Sequence, residues 1–338
     1  RIMPPGYLHG ERTLSNKTIY RELVRDDLLK VEELMRRQAL GENEDLRNAL
    51  DLILSADGKR IRPVITLLVG NMLQAPKPQL LTLAAAIEML HTATLVHDDL
   101  IDASLLRRGH PTLNARWAPG ATVLTGDFVF ARAAELAADT NSIPAMKMFA
   151  RTLGEIISGE ITQFFASKCI INRENYLERI YKKTASLFKT CTTAAALISP
   201  ASETVIADMS TFGYEIGMAF QILDDILDFT GEQVTIGKPV GNDFRSGLIT
   251  LPALYYFENR PDDPDAQVIL EGKCDTFEFL NRVEGIIAAI KNSEAIQLSM
   301  QEAERFIGRA LEALHRQPPS EEREALEEIS QYIIQRQI

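Results

Sequence analysis

The chain has 338 residues, 46% hydrophobic and 25% charged, an ordinary globular balance with enough apolar material for a sizeable core. Its net charge of −11 argues against a nucleic-acid partner, because such binders neutralise phosphates with surplus Lys and Arg. Any anionic substrate must be gripped by local basic residues or by metal ions.

Apolar residues recur at three- and four-residue spacing over 20–41, 80–102 and 201–229, and no stretch alternates with period two, so the chain reads as all-α. Breaks at 56–59, 75–78, 108–111, 237–239 and 260–264 divide it into about a dozen helices. With no internal repeat and no long linker, residues 1–338 read as one domain. Residues 1–13 lack the apolar run of a signal peptide, and no stretch approaches about 18 consecutive apolar residues, so no transmembrane segment is expected. Cys169, Cys191 and Cys274 lie far apart without a CxxC or Cys/His cluster, which suggests neither a zinc site nor a disulfide framework. A reducing, cytoplasmic setting follows.

The first chemical feature is Gly58-Lys59-Arg60-Ile61-Arg62-Pro63, a cluster of cations ahead of a proline suited to opening a helix. Alone, it could be a solvated basic turn. The helix over 83–95 leaves hardly any polar face, so it belongs inside a bundle. It runs into His97-Asp98-Asp99-Leu100-Ile101-Asp102, where Asp98 and Asp102 lie about 40° apart around a helix axis and about 6 Å apart along it. Two carboxylates on one face call for a hard divalent cation such as magnesium. A solvated acidic face is the alternative for one such cluster.

Arg107 and Arg108 follow and are expected to end this helix. There they can grip phosphate oxygens with bidentate, permanently charged guanidinium groups, or simply complement the helix dipole. Lys183 and Thr184 come next. A second apolar helix then reaches Gln221-Ile222-Leu223-Asp224-Asp225-Ile226-Leu227-Asp228, another DDxxD, with Lys238 beyond it. Two acidic clusters interrupting apolar helices are a costly arrangement unless a ligand or metal compensates them.

The paired DDxxD clusters and the arginines after the first resemble the trans-prenyl diphosphate synthase (polyprenyl synthetase) family over roughly 58–252, with the motifs in the family's order. The resemblance implies a barrel-like bundle of antiparallel helices around a central cavity, the isoprenoid synthase fold. Asp98, Asp99, Asp102, Asp224, Asp225 and Asp228 match the two metal motifs, which in the family face each other across the barrel mouth and hold three Mg2+ ions against an allylic diphosphate. Lys59, Arg62 and His91, with Arg108, match positions that receive isopentenyl diphosphate. Arg107, Lys183, Thr184, Gln221 and Lys238 match positions around the allylic diphosphate, and Arg60 is expected to point away. The catalytic group would comprise Asp98, Asp102, Arg107, Lys183, Asp224 and Lys238. A homodimer is implied as well. Pyrophosphate is the family's favoured proton acceptor, so no side-chain nucleophile is needed and His97 and His110 read as supporting residues. One departure is Leu248, at a position where the family often has lysine.

Product length should depend on residues upstream of Asp98, since short-chain members commonly have aromatics four or five positions before it. Here those positions hold Thr94 and Ala93, with Leu90, Met89 and Ala86 below. Ala93 lies roughly 7 to 8 Å below Asp98 along a helix. The small side chain favours a hexaprenyl or longer product over farnesyl or geranylgeranyl diphosphate, although small residues equally suit close helix packing. A terpene cyclase would carry a different second metal motif and would not need Lys59 and Arg62. A noncatalytic partner subunit would tend to lose aspartates or arginines that are retained here.

Overall fold

Apolar patterning sorts the helices by depth in the computed structural model, which describes residues 19–55, 60–107, 109–165, 169, 171–231, 239–270 and 276–335. Amphipathic α1 (Ile19–Arg37) and α2 (Glu44–Ser55) lie outside, whereas α3 (Ile61–Met72) and α4 (Lys77–Ile101) are apolar nearly all round. From Leu83 through Leu90 every side chain of α4 is buried. The helix packs against α1, α3, α5 (Pro119–Asp139) and α8 (Ser186–Leu197). Its contact with α5 is close enough that a Cβ on Gly126 would come within 2.2 Å of His97 Nε2.

α6 (Ile143–Phe165) and α7 (Arg173–Ile180) lead into one π-helical turn, Tyr181–Ala185, and directly into α8. α9 (Glu203–Thr230) opens with Ser202 accepting a hydrogen bond from the Val205 amide, an N-cap of the usual kind. It crosses α8 and the π turn closely, because Gly217 leaves room for Ala185, whose Cα would otherwise lie 2.6 Å from a Cβ. The short α10 (Asn242–Arg245), α11 (Leu251–Glu258) and α12 (Pro264–Leu270) are followed by α13 (Phe277–Lys291), α14 (Ala295–Leu314) and α15 (Glu321–Gln335). α14 lies along α9, and one apolar cluster runs from Tyr20 to Ile333. The fold is all-α, and the described residues contain only one two-residue strand pair, Leu106–Arg107 (β1) with His110–Pro111 (β2).

Two expectations change, concerning the end of the first aspartate helix and the cysteines, and one apolar helix bears on the membrane reading. The first aspartate helix stops at Ile101, so Arg107 sits on the small hairpin rather than at a helix end. Left-handed Ala103 (φ 49°) turns the chain, and the Ser104 amide donates to the Asp99 carbonyl, consuming the acceptors that would have continued the helix. α4 is long and apolar enough to cross a membrane by length and composition, yet 67% of its apolar window is buried inside the fold, as in a core helix. Cys169 is disulfide-bonded, while Cys191 is a free buried thiol pushed up to about 12 by burial. Sequence spacing says nothing about cysteines that meet through folding, and Cys274 lies outside the described residues. The breaks expected at 56–59 and at 237–238 also fall outside them.

Candidate active site

The last turn of α4 sorts its carboxylates by direction. Asp98 is half-buried and Asp102 exposed, whereas Asp99 is 7% exposed and faces inward. Both Asp99 oxygens accept from Arg107 Nε, at 2.9 and 3.0 Å, and one also meets Arg107 Nη2 at 2.8 Å. This bidentate pair ties the hairpin to the helix and places a guanidinium beside the cluster. Burial pushes the Asp98 carboxyl up to about 6, with Lys183 opposing the shift and Glu160 and Asp102 adding to it.

Lys183 projects from the π turn, where its Nζ is 2.7 Å from Glu160 on α6. Burial disfavours its charge, but Glu160 and Asp98 more than restore it, so its pKa is raised. The next residue, Thr184, donates to Gln221 Oε1 on α9 at 2.6 Å. Gln221 Nε2 in turn donates to Asp225 Oδ1 at 2.8 Å, and the buried Tyr176 hydroxyl donates to Asp225 Oδ2 at 2.7 Å. Two consecutive residues of one widened turn thus reach toward the first aspartate cluster and into the second. A π turn also leaves backbone carbonyls without their ordinary helical partners, a feature common at functional sites.

The second cluster repeats the division of the first. Asp224 is half-buried, while Asp225 is 3% exposed and held by Tyr176 and Gln221. Burial, reinforced by Asp243, pushes Asp225 up to about 7. Asp228 accepts from the Asn242 and Asp243 amides at 3.1 and 3.2 Å and so caps α10.

At the basic end, Arg62 Nη1 lies 3.1 Å from His91 Nε2, and its guanidinium sits 4.8 Å above the Phe188 ring. Arg60 points away and pairs with Glu88 at 2.8 Å. Lys59, Arg108 and Lys238 lie outside the described residues. Below Asp98, Thr94 is half-buried, and Ala93, Leu90 and Met89 are fully buried. Ala93 stands one turn below His97 on the side of α4 that meets α5. His97 itself packs there, with Nε2 3.2 Å from the Val123 carbonyl.

Sequence reasoning passed over Glu160 and Tyr176, which lie far along the chain from the aspartates they serve and carry no motif of their own. A hollow of about 670 Å³ formed by α7, the π turn, α8 and α9 is lined by Leu177, Tyr181, Lys189 and Tyr214 among others, and no residue singled out from the sequence borders it. Among the described residues no three His, Cys, Asp or Glu side chains are gathered tightly enough to enclose a metal. Magnesium suits such an incomplete oxygen set, because it keeps waters and substrate phosphate oxygens in its shell.

The sequence model of the polyprenyl synthetase family matches residues 43–284. A heptaprenyl diphosphate synthase component 2 from Geobacillus stearothermophilus is 38% identical over 311 residues, covering 91% of this chain and 95% of the relative. The octaprenyl diphosphate synthase of Escherichia coli is 31% identical over 92% of this chain and 99% of its own. The solved polyprenyl synthase of Caulobacter crescentus, complexed with calcium and isoprenyl diphosphate, superposes with a TM-score of 0.84 at 32% identity over 95% of this chain and 98% of the other. With the family model and these relatives matching most of the chain, it belongs to the polyprenyl synthetase family, as a trans-prenyl diphosphate synthase of the long-chain branch.

Proposed function

We propose that this single-domain enzyme extends an allylic diphosphate with isopentenyl diphosphate in the presence of magnesium, giving a hexaprenyl or longer diphosphate, and that it works as a homodimer. The π turn carries this reading: Lys183 answers the charge of Asp98, while Thr184 is bonded to Gln221 beside the second cluster. Buried carboxylates with elevated affinity for protons are groups in search of positive charge, and hard oxygen donors suit magnesium. Asp98, Asp102 and Asp224 would hold it directly, with Asp228 completing the second cluster. Asp99 and Asp225 support them from inside through Arg107, Tyr176 and Gln221. When bound, magnesium supplies positive charge against which diphosphate can depart.

Arg107, Lys183 and Lys238 would orient and stabilise the departing diphosphate electrostatically as the allylic C–O bond breaks. Lys59, Arg62, His91 and Arg108 would hold isopentenyl diphosphate so that its double bond meets the allylic cation. A new C–C bond forms, a proton leaves to the released pyrophosphate, and the product is allylic again, ready for another cycle. Asp98→Ala and Asp224→Ala should each lower turnover by roughly two orders of magnitude or more while preserving the helical circular dichroism spectrum. Radiolabelled isopentenyl diphosphate incorporated at near wild-type rates by either variant, at saturating magnesium, would remove the metal assignment.

For assembly, Ile157, Ile161, Phe164 and Phe165 form an exposed apolar stripe on α6, and Val123 and Leu124 lie exposed on the neighbouring α5. This face supports a second copy as its cover. The "component 2" in the Geobacillus relative's name favours one alternative, a different chain on the same face.

A further inference from the structure

We propose that Glu88, a residue of α4 outside every motif singled out above, is a positioning residue for the isopentenyl diphosphate end of the site and acts through Arg60. The inference rests on the assignment of Arg62 and His91 to that substrate.

Arg60 opens α3 in the left-handed region (φ 49°, ψ 34°), which a residue with a side chain occupies only when its surroundings hold it there. Three contacts surround it. Nη2 donates to the Leu54 carbonyl at 2.6 Å, among the last acceptors of α2, and Nη1 donates to Glu88 Oε1 at 2.8 Å. Nε lies 3.7 Å from Glu32, whose side chain is 38% exposed and therefore screened by water. Arg60 and Glu88 are 12% and 6% exposed, so theirs is the pairing that solvent cannot replace.

The left-handed residue turns the backbone between Arg60 and Arg62, and the two side chains leave it for different partners. Arg62 reaches His91 and the Phe188 ring. Glu88 and His91 are three residues apart on α4 and hence neighbours on its surface. One helix therefore grips the basic turn at two adjacent points, Glu88 holding Arg60 and His91 meeting Arg62. If Glu88 lets go, Arg60 loses the charge that offsets its strained backbone, and the turn can rotate about α3. A misplacement on the order of 1 Å is enough to spoil recognition of a diphosphate.

Steady-state kinetics with magnesium, varying each substrate while the other saturates, tests the proposal. Glu88→Gln should raise KM for isopentenyl diphosphate about tenfold while KM for the allylic starter and kcat stay within about twofold. Arg60→Lys, which keeps a cation but loses the forked donor, should show the same selectivity to a smaller degree, and Glu32→Gln should change neither constant. Arg62→Ala should raise the same KM, and adding Glu88→Gln to it should cost much less than in the wild type, because the two changes act through one contact. Glu88→Gln that folds with an unchanged KM, or that raises both KM values alike, overturns the proposal. Should Glu88→Gln fail to fold, Arg60→Lys decides by the same criterion, and collapse of both variants marks the pair as general scaffolding and also overturns it. If Arg62→Ala itself leaves the isopentenyl diphosphate KM unmoved, the underlying substrate assignment fails and the proposal falls with it. If Arg62→Ala raises that KM and Glu88→Gln does not, only the proposal fails.

Discussion

Each aspartate cluster has a buried carboxylate beside more exposed ones, and burial gives each cluster a pH signature. Asp98 is pushed up to about 6 and Asp225 to about 7 from a usual 3.8, in both cases chiefly by burial. A folded-state value above the unfolded one means that the folded protein binds the proton more readily. These groups therefore cost stability at neutral pH, and the cost is relieved as pH falls through 7 and then 6. Without magnesium, the melting temperature should rise from about pH 7.5 to about pH 5.5, and the increment from added magnesium should be larger at the higher pH. Calorimetry checks both; a magnesium increment independent of pH, or a slope unaltered in Asp225→Asn, contradicts the assignment. The carboxylates were legible from their four-residue spacing, which any helix translates into a shared face. Which of them look inward was not, because the partners Arg107 and Tyr176 are set by a hairpin and by a helix some 50 positions upstream of Asp225.

Among the elements, α4 was the most legible, since its apolar run and its proline-rich start predict a buried helix to within a few residues. The hairpin after it and the π turn at Tyr181–Ala185 were not, because each depends on backbone hydrogen bonds that no side-chain period reveals. The product-length reading belongs to this scale. Ala93 is wholly buried, so its small side chain suits either close helix packing or the passage of a growing hydrocarbon tail. Ala93→Phe discriminates between the two roles. If the tail passes this position, mass analysis of dephosphorylated products should show a shift to short chains with early condensations preserved. If Ala93 serves packing alone, the variant should lose ~1–3 kcal/mol of stability from overpacking and still make its long product.

For the molecule as a whole, the exposed stripe on α6 predicts association. Paired Ile161→Asp and Phe164→Asp changes should convert a dimer into a monomer in sedimentation equilibrium without unfolding it. A wild-type chain that is monomeric and inactive alone would instead point to a different partner chain on that face. The depth of α4 has a consequence of another kind, for biogenesis. Its 25 residues would satisfy a membrane-insertion test, and what hides them comes from both directions along the chain: α1 and α3 are made before it, α5 and α8 after. During synthesis the helix must wait, half-clothed, until nearly a hundred further residues have emerged. Nascent chains arrested between α4 and α5 should therefore engage chaperones or partition into lipid vesicles, whereas chains arrested after α8 should do so much less. The helix that carries the first aspartate cluster thus makes the enzyme's passage from ribosome to folded state its most vulnerable interval.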